Sequence, residues 1–354
     1  MPAVPEFLKN RGIHLPLIAA PMAGVSTPAL AAAVSNAGGL GSLGFGASDV
    51  AQARSMIAQT RAATGKAFNV NFFCHAPAIR NEMLEAAWLE RLAGEFARFN
   101  AEPPKELKEI YTSFLKDQAM QNMVLEERPA VVSFHFGLPE ADYIAALKQA
   151  GMTVLASATS LSEAQKAVQA GVDAIVAQGS EAGGHRGIFE PNGPDEMLDT
   201  QTLTHRLVQA LPVPIIAAGG IMDGGRIKSL LDSGAAAAQL GTAFVLCDES
   251  AADAGYRKAF STDATQRTVL TRVISGRPAR CLGNRFTDWG ASIADSDIPA
   301  YPCVYDAGKA LNAAAKAAGE AGYGAQWAGQ GAPAARAMPA ATLVQTLAHE
   351  MGAV

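Results

Sequence analysis

One structural unit repeats along this chain and limits the folds open to it. In each copy an amphipathic stretch ends in a small residue and a glycine, and a short apolar run follows at once, as at 36–43, 149–157, 169–178 and 232–240. Glycine adopts the left-handed backbone conformation that closes a helix, so each glycine marks a junction between a helix and a strand. Strands that alternate with helices in this way indicate a parallel sheet.

The number of strands distinguishes an open sheet from a closed barrel. The predicted strands lie at 15–20, 40–43, 67–72, 130–135, 153–157, 174–178, 214–217 and 237–240. Open doubly wound sheets usually have about five or six strands. A closed barrel has eight strands in about 250 residues, and a chain of 354 residues holds one with room for additions. The sequence therefore predicts an α/β fold, a (β/α)8 TIM barrel.

Three segments do not follow the repeat. We assign 1–74, 130–247 and 300–315 to the barrel, and 75–129, 248–299 and 316–354 to an inserted, mostly helical cap that carries substrate-binding elements. A cap over the carboxyl ends of the strands would cover the face where barrel enzymes keep their active sites. The alternative is that these segments are peripheral additions.

Charge, hydropathy and cysteine content exclude several classes of function. The formal net charge of −5 and the scattered Lys and Arg residues argue against nucleic-acid binding. No apolar stretch approaches the roughly 18 residues that cross a membrane, so we expect no membrane association. The four cysteines have no metal-ligand spacing, and we expect reduced thiols, a cytoplasmic protein and no metal site.

Two glycine-containing loops suggest a phosphate site. Gly219 and Gly220 follow the seventh predicted strand, and Gly241 and Thr242 follow the eighth. Barrels often bind phosphate with these two loops, because glycines let backbone N–H groups approach the anion and a threonine adds a hydroxyl donor. The two loops together predict a ligand that carries a phosphate.

A G-x-G-x-x-G sequence at 39–44 is not evidence for a dinucleotide site. That fingerprint must follow a strand and open a helix. Here it follows a predicted helix and contains the second predicted strand. We therefore interpret these glycines as part of the barrel wall.

Polar residues at the carboxyl ends of the strands are candidates for chemistry. Asn69 and Asn71 lie near the end of the third strand, and Gln178 ends the sixth. His185 follows Gln178 on a glycine-containing loop, where an imidazole is well placed to act as an acid, a base or a hydrogen-bond donor. His135 ends the fourth strand, and its role stays open.

These residues together resemble a known family. Segments 19–24, 69–71, 178–185, 218–221 and 239–242 resemble the FMN-binding barrels of the nitronate monooxygenases, formerly called 2-nitropropane dioxygenases. Segments 301–309 and 327–330 resemble stretches of the class I enzymes, although Trp327 stands where that class often has a Tyr-containing version.

The resemblance implies roles for individual residues. His185 would be the catalytic residue facing the substrate, and Tyr301, Tyr305 and Lys309 would bind the substrate. The residues that would bind or adjoin FMN are Met22, Asn69, Asn71, Gln178, Gly183, Gly219, Gly220, Gln239, Leu240, Gly241 and Thr242.

The resemblance also implies the reaction. FMN would oxidise an alkyl nitronate through a flavosemiquinone, and O2 would reoxidise the flavin. The products would be a carbonyl compound with nitrite or nitrate, and propionate 3-nitronate is the substrate associated with class I. Whether His185 is a base or only a hydrogen-bond donor stays open. We expect a monomer or a small homo-oligomer.

Two other functions remain open. An NAD(P)H-dependent flavin reductase of the same fold, either an enoyl-acyl-carrier-protein reductase or a quinone reductase, would share the glycine loops. Tyr301, Tyr305 and Lys309 favour the monooxygenase over these reductases. A non-catalytic flavin-binding or scaffold protein is the third possibility, and it would hold a flavin that no nitronate, nicotinamide or quinone reduces.

Overall fold

The computed structural model describes residues 4–353 and contains a parallel barrel. Its strands in chain order are β1 (Leu17–Ala19), β2 (Gly41–Gly44), β3 (Phe68–Phe73), β4 (Val131–His135), β5 (Thr153–Ala158), β6 (Ala174–Gln178), β7 (Gly184–His185), β8 (Ile215–Ala218), β9 (Ala237–Leu240), β10 (Thr268–Thr271) and β11 (Ala279–Leu282). Eight of them pair in the order β1-β9-β8-β6-β5-β4-β3-β2, and all of these pairs are parallel. The eight strands are the predicted ones, so the predicted fold is confirmed.

The barrel closes between β1 and the start of β2. Ile18 and Leu40 form a parallel bridge, in which the Leu40 amide donates to the Leu17 carbonyl and the Ala19 amide donates to the Leu40 carbonyl, both at 2.9 Å. The G-x-G-x-x-G sequence at 39–44 therefore lies in the barrel wall, as predicted. A closed barrel leaves no free sheet edge within the eight strands.

Helices connect the strands and cover the outside of the barrel. They are α1 (Glu6–Lys9), α2 (Pro28–Asn36), α3 (Val50–Ala63), α4 (Glu82–Ala97), α5 (Gln118–Glu127), α6 (Ala141–Gln149), α7 (Leu161–Gln169), α8 (Thr200–Ala210), α9 (Gly224–Asp232), α10 (Ala254–Ala259), α11 (Arg285–Trp289), α12 (Cys303–Ala317) and α13 (Ala340–Glu350). At the predicted junctions Gly151 and Gly234 have φ values of +85° and +100°, so they close α6 and α9 in the left-handed conformation that glycine tolerates best.

A cap lies beside the barrel and has its own core. Residues of α4, α11 and α12 pack together around Trp88, Phe96, Phe286 and Leu311. A second, three-stranded sheet has the order β10-β11-β7, and both of its pairs are antiparallel. Because β7 comes from the loop after β6, this small sheet ties a barrel loop to the cap.

The packing differs from the predicted division in three places. Helix α12 begins at Cys303 and packs in the cap, although 300–315 was assigned to the barrel. Helix α5 was assigned to the cap, but it packs on the barrel as the crossover between β3 and β4. Helix α13 also packs on the barrel, against α2 and α9, through Leu343, Val344 and Leu347. In each case the apolar face of the helix, rather than its position after an insertion, determines where it docks.

No helix in the described part of the chain is both long enough and apolar enough to span a bilayer. All four cysteines are buried free thiols.

Candidate active site

A cavity of about 390 Å³ lies at the carboxyl ends of the barrel strands. Its floor comes from residues that end or follow individual strands, among them Ala20, Asn71, Ser157, Gln178 and Leu240. This is the face where the loops of a barrel meet, and it is the face on which the sequence places the chemistry.

The cap supplies the opposite side of this cavity. Four tyrosines, a lysine and a tryptophan from segments outside the barrel line it, and they are Tyr111, Tyr256, Tyr301, Tyr305, Lys309 and Trp327. A cavity between a barrel mouth and an aromatic cap is enclosed enough to exclude much of the bulk water around a bound ligand.

The structure brings nearly all of the predicted site residues together. The predicted residues that line the cavity are Met22, Asn71, Gln178, Gly183, His185, Gly219, Gly220, Gln239, Leu240, Gly241, Thr242, Tyr301, Tyr305 and Lys309. Asn69 does not line it. Asn69 is fully buried one layer deeper in the barrel, where its Nδ2 donates to Ser42 Oγ at 3.1 Å and to Ser133 Oγ at 3.0 Å.

The two predicted glycine loops form one end of the cavity. Gly219 and Gly220 have φ values of +130° and +65°, which favour glycine and turn the chain sharply after β8. Thr242 Oγ1 accepts a hydrogen bond from the Gly329 amide at 2.9 Å, so its own hydroxyl proton stays available for a ligand. These loops fit a phosphate group.

The amide side chains of Asn71 and Gln178 at the cavity floor form different hydrogen bonds. Asn71 Nδ2 donates to Ser133 Oγ at 2.9 Å, which leaves its Oδ1 as an acceptor for a ligand N–H group. Gln178 Nε2 donates to the His185 carbonyl at 2.9 Å, and its Oε1 accepts from the Gly187 amide at 2.7 Å. Gln178 therefore also fixes the backbone on both sides of His185.

The charges around the cavity suit an anionic ligand. Among residues 4–353, neither Asp nor Glu lines it, and the lining cation is Lys309. Lys309 Nζ donates to Tyr111 Oη at 3.0 Å and lies 5.2 Å from the centre of that ring. An anion that enters this cavity meets hydrogen-bond donors and a positive charge, with no carboxylate to repel it.

His185 lies in strand β7 rather than in an irregular loop, and its ring is partly open to the cavity. Its Nε2 is 2.8 Å from Ser275 Oγ, and its ring centre lies 5.0 Å from that of Trp327 and 5.6 Å from that of Tyr301. Burial lowers the pKa of His185 well below its usual value, and the nearby His135, Arg277 and His75 lower it further. The ring is therefore neutral at pH 7, with Nδ1 left for a ligand.

Sequence reasoning did not select several residues around the cavity. Tyr111 and Tyr256 line it, and Phe136, Ser275 and Arg277 surround the His185 ring from behind. One signal was present for the tyrosines, because the chain has only six of them and three, Tyr111, Tyr256 and Tyr323, lie in the predicted cap segments. Phe136, Ser275 and Arg277 carried no such signal, since the contacts of Phe136 and Ser275 with His185, and of Arg277 with Phe136, depend on how distant loops meet.

A second cavity of about 330 Å³ adjoins the first one. The two share Ala47, Phe73 and Tyr111 as lining residues, and no predicted site residue lines the second. In the part of the chain that the structure describes, no cluster of three His, Cys, Asp or Glu side chains is placed to hold a metal ion.

The chain is similar over nearly its whole length to proteins of one known family. The family model described as nitronate monooxygenase matches residues 6–350. A nitronate monooxygenase of Paraburkholderia phytofirmans is 58% identical over 96% of this chain and 93% of its own length. One of Pseudomonas aeruginosa is 52% identical over 98% of this chain and 99% of its own. The structure of a nitroalkane oxidase from Streptomyces ansochromogenes superposes with a TM-score of 0.90 at 39% identity, over 98% of both chains.

Proposed function

Because the chain belongs to the nitronate monooxygenase family, we propose that it binds FMN and uses O2 to oxidise alkyl nitronates to a carbonyl compound with nitrite or nitrate. The observation that carries this proposal is the position of His185. It is a neutral imidazole that opens into a cavity lined by no Asp or Glu of residues 4–353, and two glycine loops that fit a phosphate line the same cavity.

The cavity residues fit FMN. Gly219, Gly220, Gly241 and Thr242 would hold its phosphate, through backbone amides and the free hydroxyl proton of Thr242. Asn71 Oδ1 would accept from an N–H group of the flavin ring. FMN, when bound, supplies the redox chemistry by accepting electrons from the nitronate and passing them to O2. The protein supplies binding, orientation and charge.

His185 would donate a hydrogen bond to the nitronate oxygens. Ser275 Oγ lies 2.8 Å from His185 Nε2 and 3.3 Å from the Arg277 carbonyl, and the longer contact is outside the usual range for an O–H···O bond. In this proposal Ser275 donates to Nε2, which assigns the ring proton of the neutral imidazole to Nδ1. An N–H group at this position stabilises negative charge on a nitro oxygen.

A second anionic group on the substrate would find partners in the cap. Lys309 lines the cavity and has no carboxylate partner among the described residues. Tyr301 and Tyr305 line the same cavity. The Tyr301 hydroxyl has no hydrogen-bond partner within 4–353 and almost no exposed surface, so it would reach a ligand only after its side chain turns toward the cavity. Ammonium and phenol donors both bind a carboxylate. These contacts support propionate 3-nitronate as the substrate.

Oxygen uptake tests the function. The purified protein is expected to carry FMN and to consume O2 with propionate 3-nitronate and ethylnitronate in the absence of NADH. Under anaerobic conditions a nitronate should change the flavin absorbance within the mixing time, whereas NADH should not. Rapid bleaching by NADH, together with no oxygen uptake on nitronates, would instead identify a flavin reductase. Flavin that neither compound reduces would identify a binding protein.

Lys309→Met is expected to raise KM for propionate 3-nitronate about tenfold while changing KM for ethylnitronate less than about twofold, because only the first substrate has a carboxylate. Steady-state oxygen uptake on both substrates measures the difference. Lys316→Met is the control, since it removes the same charge from the same helix at a residue that pairs with Asp253 and does not line the cavity. An equal change for both substrates would remove Lys309 from the carboxylate site.

A further inference from the structure

Arg277 is a buried positive charge behind the cavity wall. It lies in the turn between β10 and β11, is 3% exposed, and donates from Nη2 to the Ile188 carbonyl. No carboxylate of the described chain forms an ion pair with it. Arg186, which is equally buried, has Asp195 as its partner at 2.8 Å through two nitrogens. A buried charge without a partner is costly to keep, so its position needs a reason.

The guanidinium of Arg277 and the imidazole of His185 both lie against the ring of Phe136. The Arg277 Cζ atom lies 4.1 Å from the centre of the Phe136 ring. The same ring lies 5.5 Å from the His185 ring and 5.7 Å from the Tyr301 ring. A guanidinium over an aromatic face is attracted by the ring, and a ring leaves no path for water to screen the charge. The field of Arg277 therefore extends into the cavity beside His185.

The backbone of Phe136 shows that the position of this ring is enforced. Phe136 has a φ of +71°, a left-handed conformation that bulky side chains rarely adopt. Such strain persists where the surrounding structure determines the conformation, and it concentrates at functional sites. Here it holds the Phe136 ring against both the guanidinium of Arg277 and the imidazole of His185.

We propose that Arg277 is an internal counter-charge that makes the cavity specific for the anionic nitronate over the neutral nitro compound. The inference rests on the proposed function and adds a specificity-determining residue to it. Arg277 does not line the cavity, so it acts through the Phe136 ring as a positioning residue, without touching the substrate. Lys309 would bind the far carboxylate of a substrate, and Arg277 would favour the nitronate end.

The ionisation of the neighbouring groups is consistent with this role. Burial lowers the pKa of Arg277 to about 10, which leaves it charged at neutral pH. Its charge lowers the pKa values of His75, His135 and His185, with burial as the larger cause in each case. The other charged or titratable groups that act on Arg277 are Tyr301, Arg272, Glu163 and Glu190. With the three imidazoles neutral, Arg277 is the remaining charge among the groups that act on the pKa of His185.

The test compares Arg277→Met, which removes the charge, with Arg277→Lys, which keeps it, in the FMN-loaded enzyme. We expect Arg277→Met to lower kcat/KM for ethylnitronate about tenfold, mainly through KM, and to change the inhibition constant of neutral nitroethane less than about twofold. Arg277→Lys should lower kcat/KM for ethylnitronate less than about threefold. In Arg277→Met the acidic limb of the pH profile should also move to higher pH, because the pKa of His185 rises when the positive charge is removed. A merely structural arginine would not produce the shift of the profile.

The outcomes separate this inference from the proposed function. If the wild-type protein does not oxidise nitronates, the proposed function fails. If it does, and Arg277→Met is unchanged or Arg277→Lys is equally impaired, the inference alone fails. If Arg277→Met does not retain FMN, Arg277→Gln takes its place, since its amide can still donate to the Ile188 carbonyl. The same tenfold loss and shifted profile are expected for Arg277→Gln, and their absence would overturn the inference.

Discussion

Gly41→Ala is expected to lower the free energy of unfolding by about 3 kcal/mol or more. A Cβ atom at Gly41 would lie 2.0 Å from the carbonyl oxygen and 2.7 Å from the Cα atom of Ala31 in helix α2. These are backbone atoms, so no side-chain rotation relieves the clash, and the helix must move away from the barrel wall. The thermal unfolding midpoint should fall by about 5 °C or more, measured by circular dichroism.

Gly94→Ala is the matched control for this substitution. Gly94 lies on the exposed face of α4, and a Cβ there would meet no atom within 4 Å. Alanine has the higher helix propensity, so this variant should be unchanged or more stable by up to about 1 kcal/mol. A Gly41→Ala protein that melts within about 1 °C of the wild type would contradict the tight packing of α2 on β2.

Gly41 also illustrates why the barrel could be predicted from the sequence. Its glycine pattern resembles a dinucleotide fingerprint, but the preceding helix and the apolar run through it identify a strand. Such local signals determine the eight strands and their junctions, because each depends on residues adjacent in the chain. The two glycine loops could be predicted in the same way, because the seventh and eighth predicted strands are neighbours in the barrel.

The parts that were not predicted depend on contacts between distant segments. Helix α13 docks on α2, more than 300 residues away in the chain, and nothing local to it shows that preference. Asn69 and Asn71 look equivalent in sequence, because both point into the barrel from one strand. In the structure they differ in depth, because Asn71 lines the cavity whereas Asn69 is buried below its floor. Ser275 reaches His185 across 90 positions of the chain, which no spacing rule detects.

His185→Asn is expected to lower kcat/KM for ethylnitronate about a hundredfold while FMN stays bound. Ser275 contacts Nε2, so Nδ1 of the imidazole would donate to the nitronate. Asparagine is too short to place a donor at the same point. Initial rates of oxygen uptake, normalised to flavin content, measure the loss. His349→Asn is the control, because this exposed histidine at the end of α13 does not line the cavity and its removal should leave the rate unchanged.

The pH dependence tests the same residue without a substitution. Burial and the neighbouring His135, Arg277 and His75 hold the pKa of His185 well below the ordinary value of 6.5. Its neutral form is therefore the form present at pH 7, and it persists as the pH falls through the range in which a free imidazole gains a proton. With freshly prepared ethylnitronate, kcat/KM should stay level from about pH 8 to about pH 6. A fall with an apparent pKa near 6.5 would mean that His185 becomes protonated in the free enzyme, and the neutral donor assigned to it would then be wrong.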